Sequence, residues 1–320
     1  MLLASPSSTV HCQSSVALRS QLSVLRCSGA FCLLASGSLR VLCVLCGEIS
    51  SPFAFCILHS AFCILVGVLI AAYQAPLSDA YGPVEACIER IATRVRECEA
   101  AGVSFLCCPE ALLGGLADNL PNKAAINAIA IPTEELASRL APIASETVTT
   151  IIGFSEAAPD GNLYNSAAIF HQGAVAGIYQ KLHPARRRSV YTPGTELPVF
   201  RIAGTAFGIL ICNDSNFAHH AADLRTRGAQ LLFIPTHNAL PRSRNAEVET
   251  RDAARAVDAS LATENKLHVI RADVAGTSDS LISLGSTEIV SPDGSQLAVA
   301  SSRFPIISTQ LLPRTAPLTA

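Results

Sequence analysis

From Val66 onward the chain alternates two kinds of segment: short apolar runs that stop at Pro, Gly or a polar residue, and amphipathic runs with helical spacing. That alternation confines it to an α/β layered fold rather than an all-β barrel or a helical bundle. Val68–Tyr73 and residues 103–108, 148–154, 206–212, 229–234 and 267–272 read as strands. Residues 83–101 read as a helix: Val84, Cys87, Ile88, Ile91, Val95 and Cys98 recur at steps of three and four, with Glu85, Glu89, Arg90, Arg94 and Arg96 on the wet side. Gly102 closes it. Further helices are expected at 134–145, 217–227 and 247–264. A hairpin is expected from 164–170 and 174–180 around His171-Gln172-Gly173. Strands at 287–290 and 296–300 flank the turn Pro292-Asp293-Gly294.

The first quarter obeys different rules. Residues 1–78 carry only Arg19, Arg26, Arg40 and Glu48 as charges. Residues 53–72 are apolar enough to span a bilayer, interrupted by His59 and Ser60. Yet 54–58 and 61–65 are the same pentapeptide, AFCIL, which marks low-complexity sequence. Two readings compete: a signal or single anchor, or an upstream extension over 1–65 that stands outside the fold. The second gives a folded domain at 66–303, a C-terminal tail at 304–320, and no expected membrane association. Cysteines cluster in the same quarter, with Cys12, Cys27, Cys32, Cys43, Cys46, Cys56 and Cys63 among the twelve of the chain. The later five, Cys87, Cys98, Cys107, Cys108 and Cys212, are too sparse for a disulfide scaffold and read as reduced thiols of a cytoplasmic protein.

Charge and motifs exclude several classes. A formal charge of -2, no basic stripe and no Trp give no footprint for nucleic acid. Arg186, Arg187 and Arg188 are the one basic run, read as a solvated loop or a carboxylate clamp. Dinucleotide, Walker and G-x-S-x-G signatures are missing, and the adjacent His219-His220 point in different directions on a helix, so no metal site is expected. Three polar residues remain: Glu110, Lys181 and Cys212 each stand at the carboxyl end of an apolar run, where open α/β sheets present reactive groups. A thiolate can attack a carbonyl carbon, a carboxylate can take the thiol proton, and an ammonium can lower the thiol pKa and hold an oxyanion. Against this stands the bland reading: a core cysteine, and a surface Glu and Lys.

The wording around the three decides between them. FLCCPEALLGG (105–115), LYNSAAIF...GIYQKLHP (163–184) and FGILICNDSNF (207–217) resemble, in order and spacing, the nitrilase or carbon-nitrogen hydrolase superfamily. Similarity continues through RGAQLLFIPTHNA, ATENKLHVIRADVAG and GSTEIVSPDG. The resemblance implies a four-layer αββα sandwich, a homodimer or higher homo-oligomer, and no cofactor. It implies Glu110 as general base, Lys181 as charge stabiliser and Cys212 as nucleophile of a thioester route, acting on a small amide. The backbone N–H of Asn213 is the expected second oxyanion donor, and Asp214 is expected to fix the turn.

Two departures stand out. The stretch PARRRSVYTPG (184–194) lacks the second Glu of many members, with Glu196 out of register, which makes Arg187 a candidate for a substrate carboxylate. Phe217-Ala218-His219 replaces a common Phe-Pro-Glu, leaving His219 either a substrate contact or a solvent-facing helix residue. Hydrolysis of a linear amide or N-carbamoyl compound is the leading expectation. A nitrilase, an acyltransferase and an inactive binding module on the same fold are the alternatives.

Overall fold

A computed structural model describes residues 22–27, 30–35, 42–44, 68–185, 187–301 and 306–311. The rest of the extension with its apolar repeat, Arg186, and most of the tail lie outside the described residues. The chain divides into Met1–Ile64 and Leu65–Ala320. In the first unit Leu22–Cys27, Ala30–Ala35 and Leu42–Val44 form an antiparallel sheet, in a segment to which the sequence assigned no strand.

The second unit holds two six-stranded runs of sheet. In one, β1 (Val68–Tyr73), β2 (Phe105–Cys107) and β3 (Thr149–Ala157) are parallel. β4 (Leu163–His171) and β5 (Ala174–Gln180) continue the same sheet as an antiparallel hairpin. In the other, β6 (Phe200–Ile202) pairs antiparallel with β7 (Thr205–Ile209), which runs parallel to β8 (Leu231–Pro235) and β9 (His268–Ala272). β10 (Glu288–Val290) and β11 (Gln296–Val299) close it.

Strand periodicity sorts the side chains into layers. Ile70 and Ala72 of β1 join Phe105, Ile151, Phe207, Ile209, Phe233 and Ile270 in a core made by both sheets, whereas Ala71 and Tyr73 face the other way. Phe105, Phe207 and Phe233 lock the sheets together with ring centroids 5.3 to 5.9 Å apart. Outside the first sheet lies α1 (Val84–Ala101), which buries the six expected apolar positions and ends on Gly102 at φ 75°. Outside the second, α2 (Ala218–Thr226) and α3 (Glu247–Asn265) pack on Leu232, Ile234, Val269 and Val290. The result is the αββα sandwich.

Two local expectations fail for backbone reasons. The helix expected at 134–145 breaks into the turns Thr133–Glu135, Leu136–Arg139 and Ala141–Ile143, because Pro142 has no N–H to continue it. The segment read as a tail supplies β12 (Ile306–Leu311), antiparallel to β1. Its mixed Ile-Ile-Ser-Thr-Gln-Leu composition is that of an edge strand, not of the continuous apolar runs that marked the interior ones. Among the described residues no helix is long and apolar enough to cross a membrane.

Glu288, buried on β10, gives this fold a pH dependence. Burial first, then the charge of Asp258, pushes its carboxyl up to about 7 from 4.5. The folded state therefore binds more protons than the unfolded state between those values, so stability falls as pH rises through that window. Melting temperatures of the wild type and Glu288→Gln measured from pH 5 to 7 check this. The wild type should lose stability with rising pH more steeply than the variant; parallel curves would refute the assignment.

Candidate active site

Each of the three strand-end residues owes its position to a local backbone device. Glu110 follows β2 on a turn in which Ala111 has φ 44°, and its N–H donates to Thr236 O at 3.3 Å. Gly153 of β3 lies directly against this turn: a Cβ there would meet Pro109 O at 2.5 Å and Glu110 Cα at 2.7 Å, so only glycine admits it. Lys181 follows β5, its N–H bonded to Asn165 O and its carbonyl accepting from Gly194 N. Cys212 departs from the strand expected to contain it. β7 ends at Ile209, and Cys212 opens the turn Cys212–Asn216 with φ 47°, a left-handed conformation a side chain adopts only when its surroundings enforce it.

Two buried networks enforce it. Asp214 accepts from Ile211 N at 3.1 Å, from Tyr179 Oη at 2.8 Å and from His183 N at 2.7 Å, tying the cysteine turn to both sides of Lys181. Arg271 of β9 holds Asp258 of α3 through two hydrogen bonds of 2.5 and 2.7 Å. Its guanidinium also reaches Ser215 Oγ at 3.2 Å, and that hydroxyl donates to Cys212 O at 2.7 Å.

The three side chains converge. Lys181 Nζ lies 2.5 Å from Glu110 Oε1, both side chains almost wholly buried, and Asn165 Nδ2 donates to the same oxygen at 2.8 Å. Glu110, Lys181 and Cys212 line one small cavity with Asn165, Tyr191 and His237. The thiol of Cys212 points at Asn238 Oδ1 at 3.7 Å, and the His237 backbone N–H hydrogen-bonds its sulfur. Cys212 also opens onto a larger cavity of about 370 Å³ whose lining includes Asn213, Asn238, Arg244, Glu249 and Thr250.

The electrostatics correct one expectation. Burial and then Glu110 push the Cys212 thiol up to about 12, outweighing the lowering by Lys181. The reason is that the ammonium is already neutralised by the carboxylate at contact distance, so the sulfur sees a desolvated site with little net field. Burial alone would lower Lys181, but Glu110, Cys212 and Asp214 hold it above its ordinary value. The resting state is thus a neutral thiol beside an ion pair.

Other expected contacts fall elsewhere. Arg187 is exposed and lines neither cavity. His219 is also exposed, its ring against His220 at 4.1 Å, while His220 is buried with Nε2 2.8 Å from His183 Nε2. Asn213 does line the outer cavity, its amide side chain donating to His183 O at 3.1 Å. Asn165, Tyr191, His237, Asn238 and Arg244 were missed. His237 and Asn238 lie two and three residues past Pro235, the end of β8, so the strand-end argument that found the other three applied to them as well. Arg244 carries no signal in the sequence.

Comparison with known proteins bears on the family and the fold. The model of the carbon-nitrogen hydrolase family matches residues 69–314. A Pseudomonas protegens protein described as a hydrolase in the pqqF 5' region is 32% identical over 208 residues, 63% of this chain and 69% of its own. The omega-amidase NIT2 of Xenopus tropicalis is 30% identical over 190 residues, 55% of this chain and 66% of its own. Among solved structures, an amidase from Nesterenkonia sp. AN1 with the acetamide moiety of fluoroacetamide on its active-site cysteine superposes with a TM-score of 0.63. That likeness covers 77% of this chain and 91% of that one at 20% identity.

The charge arrangement predicts how Cys212 titrates. Its alkylation by iodoacetamide, followed by peptide mass, should keep accelerating well above pH 9 in the wild type. Glu110→Gln removes the like charge and should shift the midpoint down; Lys181→Met should shift it up. A wild-type plateau near the ~8.5 of a free thiol would contradict the balance of effects described.

Proposed function

The chain belongs to the carbon-nitrogen hydrolase family, and from that premise we propose that it is an amidase-type hydrolase of a linear amide or N-carbamoyl compound. Cys212 is its nucleophile, Glu110 its general base and Lys181 its charge stabiliser. The observation that carries the reading is the water-excluded Glu110–Lys181 pair sharing one cavity with Cys212, which is half-buried where Cys87, Cys98, Cys107 and Cys108 are buried.

With the thiol neutral at rest, proton transfer and attack belong to one step. As the sulfur adds to the amide carbon, Glu110 takes the S–H proton, which avoids an isolated buried thiolate. The carbonyl oxygen becomes an oxyanion, stabilised by the Lys181 ammonium and by the backbone N–H of Asn213. Collapse breaks the C–N bond while Glu110 returns the proton to nitrogen, releasing ammonia or an amine and leaving a thioester on Cys212. Glu110 then takes a proton from water, the hydroxyl adds to the thioester carbon, and the thiol leaves with the acid product. The reading takes 66–303 extended by β12 as the catalytic domain, with 1–65 outside it. It further takes the protein to be a homo-oligomer and cytoplasmic, the latter supported by free thiols at Cys87, Cys98, Cys107, Cys108 and Cys212.

Ammonia release from a panel of amides, carbamoyl amino acids and nitriles tests this. Cleavage of amides or carbamoyl compounds is expected, with a loss of roughly 10³-fold or more in Cys212→Ala. Intact mass should show an acyl adduct on the wild type and none on the variant. Turnover of nitriles alone would move the assignment to a nitrilase. No turnover and no adduct would favour an inert binding module.

A further inference from the structure

The outer cavity contains two charges that its own protein does not use. Arg244 ends the turn Arg242–Arg244, after which Asn245 at φ 48° sends the chain back into α3. Glu249 stands in the first turn of α3 and lines the same cavity. Among the described residues neither side chain makes an ion pair or hydrogen bond, with each other or with anything else. The third charge in that lining, Arg271, is committed to Asp258. Arg244 and Glu249 are both exposed, and with Arg271 committed they are the two charges of this lining left for a ligand.

The rest of the lining mixes hydrogen-bonding groups, Asn213, Asn216, Asn238 and Thr250, with four alanines, and Cys212 opens into it. A simple aliphatic amide would leave both charges to water. A lone carboxylate would satisfy the guanidinium but meet Glu249, and a lone ammonium would do the reverse. One small group satisfies both: an ammonium and a carboxylate on the same carbon. We infer that the substrate is a carboxamide whose far end is a free α-amino-acid group, its carboxylate held by Arg244 and its ammonium by Glu249. The carboxylate clamp that the sequence suggested for Arg187 is thereby supplied from a different loop. Such remote contacts fix the reacting carbonyl over Cys212, which is how binding energy away from the chemistry raises turnover. This inference rests on the amidase reading.

Ammonia release from four matched sets of amides separates the possibilities. L-asparagine and L-glutamine carry both charges; succinic and glutaric acid monoamides carry the carboxylate only. 3-Aminopropanamide and 4-aminobutanamide carry the ammonium only; propanamide and butanamide carry neither. At least one zwitterion should exceed its three partners in kcat/KM by about tenfold or more, the scale of one well-made charged contact. Arg244→Ala and Glu249→Ala should each shrink that margin by about tenfold, chiefly through KM, with melting temperatures confirming folding. Equal or better turnover of the monoamides overturns the inference in favour of simple carboxylate recognition, and equal turnover of the neutral amides removes charge recognition altogether. No release from these eight, while other amides are cleaved, overturns this inference alone. Silence across every amide, with no adduct on Cys212, instead defeats the amidase reading.

Discussion

A carboxylate and an ammonium withdrawn from water and set 2.5 Å apart at the ends of two strands are the constraint around which this domain is arranged. Burying two charges is unfavourable unless geometry and further hydrogen bonds repay the lost hydration, and removing one partner from such a pair costs about 3–5 kcal/mol. The fold supplies those conditions. Asn165 gives Glu110 a second donor, Gly153 lets the Glu110 turn sit flat on β3, and Gly194 caps the Lys181 carbonyl. Because the pair is satisfied internally, it leaves the adjacent sulfur in a desolvated site with little net charge.

The same logic explains why the cysteine turn carries so much buried polarity. A positive φ at a residue with a side chain costs on the order of 1–3 kcal/mol and persists only when the surroundings over-determine it. Asp214 and the Arg271–Asp258–Ser215 network both hold that turn, one through Tyr179 of β5 and the other through α3 and β9. Three elements distant in sequence are thereby fixed to a single five-residue turn. The cysteine, the lysine and the acid then share one frame of reference.

Layer assignment was legible in the chain because it depends on short-range pattern. The period of α1, the hairpin around Gln172-Gly173 and the apolar runs of β1, β3, β8 and β9 each fix which face is buried, and two sheets with helices outside follow from covering every apolar face. The misses were places where pattern is weak. Pro142 broke an otherwise plausible helix, and β12 is half polar because one edge of it faces no neighbour. The strand-end rule located Glu110, Lys181 and Cys212, yet passed over His237 and Asn238, which obey the same rule but drew no notice beside better-known nucleophiles and bases.

What the sequence determined alone was therefore the architecture and the placing of Glu110, Lys181 and Cys212 at or just beyond strand ends, since both are written in local periodicity and in residue type at strand termini. Tertiary structure decided everything that depends on distance through space. It neutralised Lys181 against Glu110, so that the thiol rises instead of falling; it turned Arg187 and His219 outward; and it brought Arg244, from the turn before α3, and Glu249, from the first turn of α3, to the cavity of Cys212. The physical reason is common to all three: Coulomb and hydrogen-bond energies depend on separation and dielectric, and neither quantity exists until the chain has closed on itself.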